Sequence, residues 1–323
     1  MTDRAHHSIL LLGKGELGTA ILSSLLSHHS SSPSATETKI TILCRNPPDS
    51  PPLAPKDQRP VSYQQADITS ATVDELAEIF NSHDTVIQAS GFGFPPGTHI
   101  KIASAALSAP NVRHFIPWQF GVDYGAIGKG SGHKELFDEF LQVRDLLRAQ
   151  THTKWTVVSS GLFMSFLFGV KEFGAVDLKA GVVRGLGGWD NKVTLTDVEG
   201  IGRMVGEVVL PGEHGQAVED AGRGGVVYIG GETVTYKQVA DMVEEVLREK
   251  GWRMEVTREE IGVDEIRRRL ERNSGDKMVR YQSIFGEGVG VWWEKEKTLN
   301  YRLGIPLRGV REWLVENIEG LLQ

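Results

Sequence analysis

Cysteine is almost absent from the chain: Cys44 is the only one in 323 residues, so no internal disulfide can form and a reducing compartment suits it. No stretch approaches the roughly 20 apolar residues of a membrane-spanning helix, and residues 1–7 are too polar to open a signal peptide. A cytoplasmic chain without a membrane partner is expected. Neither charge sign dominates, since 35 Lys+Arg against 42 Asp+Glu leaves −7, which gives no global field for nucleic acid. His6-His7 and His28-His29 lack a third ligand, so no metal site is expected from them. Glycine is what the chain has in quantity. Its 37 residues exceed the needs of a helical bundle and fit sharp turns and close backbone approaches to a ligand.

A continuous apolar run at residues 8–12 and alternation at 39–44 predict strands, further strands are expected at 61–66, 85–89, 112–117 and 155–159, and helices are expected at 19–26, 73–80, 100–109 and, from helical spacing of its apolar residues, 136–149. Strands alternating with helices in this rhythm imply right-handed crossovers. The predicted fold class is therefore α/β, with a doubly wound parallel sheet of the Rossmann type over residues 1–160. Thr72 with Glu75 forms a capping box for the second helix. Residues 28–38 and the six prolines between 47 and 60 predict irregular surface excursions. The second half, 161–323, reads as a smaller, irregular α+β substrate-binding region, with residues 190–210 packing back on the first. In it we expect a strand at 193–195, a capping box at Thr196 and Glu199 opening a helix to 209, a strand at 226–229, and helices at 236–250 and 259–272, the last capped by Thr257.

Gly13-Lys14-Gly15-Glu16-Leu17-Gly18 fits G-x-G-x-x-G directly after a strand and at the opening of a helix. In that motif the first glycine makes the tight turn, the second admits a pyrophosphate against the backbone, and the third lets helix and strand pack closely. A dinucleotide site follows. An NAD-specific site places an acid at the end of the second strand, whereas this chain has Cys44-Arg45-Asn46 there. Arg45, with Lys14 beside it, can take a 2′-phosphate, so NADPH is the expected cofactor. Ala89-Ser90-Gly91-Phe92, at the end of the fourth strand, are further cofactor-binding candidates because small residues there let ribose and diphosphate lie on backbone. Phe94 is a candidate cover for the cofactor or a core ring.

Phe115-Ile116-Pro117-Trp118-Gln119-Phe120-Gly121-Val122-Asp123 resembles the F-x-P-S-E-F-G-x-D signature of the NmrA-like, isoflavone reductase-like proteins, a branch of atypical short-chain dehydrogenases. Cys44-Arg45-Asn46-Pro47, Val143-Arg144 and Ser159-Ser160-Gly161-Leu162-Phe163 follow in matching order, so the resemblance covers at least residues 8–205. It implies NADPH binding, with Trp118, Gln119 and Phe120 at the cofactor, and reduction of small aromatic or heterocyclic molecules. Two departures stand out: Trp118-Gln119 replaces the usual Ser-Glu, and an ungapped count places Phe140 where the family carries a catalytic lysine.

Hydride delivery to a carbonyl or conjugated alkene builds negative charge, so a proton donor or oxyanion partner is still required. Lys134 ranks first for that role, followed by Tyr124 and His133. Trp118, Phe140, Phe163, Met164, Phe168 and Trp189 are the candidate substrate-binding residues. The expected function is an NADPH-dependent reductase of a small aromatic, heterocyclic or polyketide-like metabolite in secondary metabolism, acting as monomer or homodimer. Its alternatives are a non-catalytic NADP(H)-sensing regulator and a redox-neutral isomerase, cyclase or dehydratase.

Overall fold

Ser8–Leu12 (β1) is apolar on both faces, and Ile9, Leu10, Leu11 and Leu12 are wholly buried in the computed structural model. Burial on two faces is what a parallel sheet between helix layers demands. Described residues are 7–27, 38–48, 61–129, 132–210, 212–222 and 225–323, without the side chains of 132–134. Most of the two predicted surface excursions, together with His6, His28 and His29, lies outside them. The described residues group into two compact units: residues 1–119, 139–158 and 201–227 form the first, and 120–138, 159–200 and 228–323 the second.

In the first unit β1 pairs in parallel with Lys39–Cys44 (β2) and Thr85–Gln88 (β4). Val61–Gln65 (β3) flanks β2, and His114–Ile116 (β5) and Lys154–Trp155 (β6) complete the order β3-β2-β1-β4-β5-β6. This is the expected doubly wound sheet, reversing direction between β1 and β4. Its helices are Glu16–Ser27 (α1), Val73–Phe80 (α2), Thr98–Ser108 (α3) and Asp138–Arg148 (α4). The capping box on α2 forms as read, with Thr72 Oγ1 accepting from Glu75 N and Glu75 Oε2 accepting from Thr72 N. The strand predicted at 155–159 divides instead, because Val157 N donates to Gly225 O rather than to β5. Val198–Val209 (α5) packs on α1 at backbone distance. A Cβ on Gly202 would stand 2.5 Å from Ala20 O.

His114 of β5 is buried, with a ring nitrogen 2.9 Å from Thr156 Oγ1. Burial first, then the positive charge of Lys154, depresses its pKa to about 3.

In the second unit, Lys192–Thr196 forms a strand between Leu162–Phe163 and Glu232–Thr235. The expected capping box at Thr196 and Glu199 is not what starts α5: Thr196 Oγ1 donates to Ser160 O, and Asp197 Oδ1 accepts from Gly200 N. The predicted helix at 259–272 is corrected further. Thr257–Ile261 is a strand paired in parallel with Val182–Leu186, Arg184 Nε donates to Glu259 Oε2 at 2.6 Å, and the helix begins only at Val263. Tyr236–Glu249 is the predicted amphipathic helix, opened by a capping box of Thr235 and Gln238.

Asp197 also lies 3.4 Å from Arg308 Nη1, yet burial, reinforced by Glu199, raises its carboxyl to about 6. A carboxyl that binds its proton more tightly when folded costs nothing below its unfolded pKa near 4 and costs progressively more up to about pH 6. Asp197→Asn will therefore gain stability relative to wild type as pH rises from 4 to 7, measured by urea unfolding at fixed pH values. A pH-independent difference would refute this.

Candidate functional site

The three glycines of the first loop are held to their identity by three different causes. Gly13 has φ +107, and a Cβ on it would lie 2.7 Å from Ser90 Cβ. Its N–H donates to Leu43 O, so the turn is fixed to β2. Gly18 faces the loop itself, where a Cβ would meet Gly13 O at 2.4 Å. A Cβ on Gly15 would meet nothing within 4 Å. Its lack of a side chain thus serves no packing need of the protein and leaves open space at the start of α1.

Beside this loop is a cavity of about 460 Å³. Lys14 and Arg45 line it from two strand ends, and Lys14 Nζ donates to Asn46 O at 2.9 Å, which anchors the ammonium next to Arg45. Two cations therefore border one space. Asp67, Ile68 and Thr69 line it as well, though the sequence reading passed over them. Their signal was position, just beyond the carboxyl end of β3. Asp67 Oδ1 accepts from Thr69 Oγ1 and Thr69 N, and these bonds hold its carboxyl below the usual range, so it presents an acceptor. From β4 come Ser90, whose Oγ donates to Leu12 O, and residues 92–95.

Further along the sheet the candidates are occupied by one another. Ala89 is buried, and its N–H donates to Leu12 O. A Cβ on Gly91 would lie 2.5 Å from Trp118 Cγ and 2.6 Å from His99 Cε1, so the smallness of Gly91 accommodates those two rings. Gln88 ties the group together: its Oε1 accepts from Trp118 N and its Nε2 donates to Ser90 O. Those two backbone groups fix the amide orientation, so Nε2 also donates to His99 Nδ1 at 3.0 Å and the neutral His99 ring carries its proton on Nε2. Phe140 meets that ring edge-on, with centroids 4.9 Å apart. Glu139, its neighbour on α4, accepts from His99 N at the start of α3. Gln119 is wholly buried; its Nε2 donates to Phe140 O and its Oε1 accepts from Arg144 Nε at 2.7 Å. Its amide is spent on holding β5 to α4.

In the second unit Phe120 and Tyr124 are buried, and the Tyr124 ring lies 4.7 Å from that of Phe137. Met164 and Phe168 are core residues, Phe168 stacking on Trp313 at 5.6 Å, while Phe163 and Trp189 are half-buried. His133 and Lys134 belong to the 3₁₀ segment Gly132–Phe137, but their side chains lie outside the described residues. Among the described residues no three His, Cys, Asp or Glu side chains gather to hold a metal ion, and no helix is long and apolar enough to cross a membrane.

Residues 7–300 match the NmrA-like family. The chain belongs to that family. An "NmrA-like family domain-containing oxidoreductase" of Gibberella moniliformis is 41% identical to this NmrA-like chain over 320 residues, covering 95% of it and 97% of the relative. Among solved structures, the leucoanthocyanidin reductase of Vitis vinifera in binary complex with NADPH superimposes with a TM-score of 0.70 at 16% identity, over 97% of this chain and 99% of that one. An isoflavone reductase gives 0.68 at 18% identity, over 96% and 99%. At such identities these two enzymes share the fold with the NmrA-like chain.

Proposed function

We infer that this NmrA-like chain is an NADP(H)-dependent oxidoreductase that reduces a small aromatic, heterocyclic or polyketide-like molecule in secondary metabolism. The observation that carries the reading is the pair Lys14 and Arg45 bordering one cavity beside a Gly15 that leaves space for an anion. Two cations and helix amides suit a phosphate-rich ligand, and neither position offers an acid to the ribose hydroxyls. The naming of the Gibberella relative as an oxidoreductase and the NADPH bound to the Vitis reductase agree with it. When bound, the nicotinamide would supply a hydride. This chain must then supply or admit a proton, and we assign that step to the segment bearing Lys134, with Tyr124 and His133 after it.

Arg45→Ala is expected to weaken NADPH binding by about 1.5–3 kcal/mol, the worth of charged hydrogen bonds, and to leave NADH binding nearly unchanged. Titration calorimetry with both nucleotides checks this. An unaltered NADPH to NADH ratio would remove the argument for cofactor choice. A second reading, a non-catalytic NADP(H) sensor, is favoured by one observation: Phe140, which the ungapped count sets at the family's lysine, turns its ring to His99. Stoichiometric NADPH oxidation accompanying product formation would eliminate it, and nucleotide binding without turnover across a panel of aromatic ketones and enones would eliminate the reductase.

A further inference from the structure

Four strand ends border the cavity of Lys14 and Arg45, and the joints between three pairs of them follow the sheet. Ser90 Oγ beyond β4 donates to Leu12 O of β1, Lys14 Nζ beyond β1 donates to Asn46 O beyond β2, and Gln65 Nε2 of β3 donates to Arg45 O at 3.0 Å. Each joins segments whose strands are neighbours in the order β3-β2-β1-β4. The outer two, β3 and β4, have β2 and β1 between them, so no ladder can set the distance from residues 67–69 to residues 90–95 on the opposite wall. A side chain of α3 makes that joint. Lys101 Nζ donates to Thr69 O at 2.9 Å and to Ala71 O at 2.8 Å.

Both ends of the link are themselves held. On one side Asp67 O accepts from Ala71 N and Asp67 Oδ1 from Thr69 N, closing residues 67–71 into a turn that runs into the capping box of α2. On the other, Thr98 N donates to Pro95 O and Lys101 N to Gly97 O, so the start of α3 is continuous with the wall at 92–95. Glu139 Oε1 fixes that start by accepting from His99 N and Ile100 N. Lysine suits the span, because a long half-buried stem with three donors at its tip can satisfy two carbonyls at once. Lys101 itself is not among the residues lining the cavity. We propose that Lys101 is a positioning residue of the nucleotide cavity, a brace that sets the separation of its third and fourth strand ends. This rests on the NADP(H) reading above and adds to it a residue that touches no ligand. A wall held in place beforehand spares the ligand the ordering of a loop, so the brace favours NADPH and NADH alike.

The test compares wild type, Lys101→Met and Lys101→Arg by amide hydrogen exchange of the apo protein and by calorimetry with NADPH and NADH, with thermal melts as a check on folding. Methionine keeps the apolar stem and removes the donors, which arginine supplies again. In Lys101→Met the amides of Thr69 and Ala71 should exchange faster than in wild type. Both nucleotides should weaken by the same factor, about 10-fold, at low and at high salt, and Lys101→Arg should restore both. Wild-type affinity in Lys101→Met, even with a lowered melting temperature, would overturn the brace. So would a loss confined to NADPH that high salt abolishes, because the ammonium would then act as a charge on the phosphate. A wild-type chain that binds neither nucleotide would bring down the NADP(H) reading instead, and unchanged exchange at Thr69 and Ala71 would bring down the brace in either case.

Discussion

Gly15→Ala will fold and melt as wild type does and lose cofactor affinity, whereas Gly18→Ala will lose both. The contrast follows from where each added methyl goes. At Gly15 it enters open space, so the apo protein has nothing to rearrange. That same space is where a pyrophosphate would approach the amides opening α1, and a methyl there keeps the anion from hydrogen-bond distance. At Gly18 the methyl would arrive 2.4 Å from Gly13 O, a backbone atom that cannot swing aside, because Gly13 is bound to Leu43 O. Helix α1 must shift, at an overpacking cost of about 1–3 kcal/mol. We expect each variant to bind NADPH at least about 100-fold more weakly, since several charge-assisted bonds worth about 1.5–3 kcal/mol each depend on that helix start. Calorimetry and thermal melts on the same samples separate the cases. Gly15→Ala with wild-type affinity would show that no phosphate lies at this loop.

Acid will unfold the chain in part through His114. An unfolded histidine takes up a proton near pH 6.5, while the native ring resists until about pH 3. Between those values the unfolded state holds the extra proton. The contribution of His114 is thus complete above about pH 6.5 and declines as pH falls, by about 1.4 kcal/mol per unit, reaching on the order of 4–5 kcal/mol near pH 3. His114→Gln can still bond Thr156 and has no such proton to take up. Urea unfolding from pH 7.5 to 4 should show wild type losing stability faster than this variant. Parallel curves would refute the assignment. Asp197 titrates in the opposite sense over pH 4–6, so the two single variants must be compared before either slope is attributed.

Strand β1 could be read from the chain because a strand covered on both sides writes itself as an unbroken apolar run, and β2 because buried Ile40 and Ile42 alternate with the less buried Lys39 and Thr41. Thr257–Ile261 could not. Its first four residues are exposed, so its charges mimic a solvated helix, and its pairing with Val182–Leu186 is a contact across about 75 residues. The same division runs through the site. Gly13, Gly15, Gly18, Lys14 and Arg45 announce themselves by spacing after strands. Asp67 to Thr69 join them because the order β3-β2-β1-β4 brings a third strand end to the same cavity. The meeting of Trp118 and His99 over Gly91 was equally illegible, since the glycine rhythm at 91 and 93 is what a ligand-facing backbone would also show.

Gly202 gives the loop a debt to a part of the chain made long afterwards. Helix α1 rests on Gly13 at its start and, near Ala20, on the backbone of α5. A growing chain that has released only its first sheet holds the glycine loop but not the second of these seats. The seat near Ala20 is therefore available only when synthesis has passed residue 202.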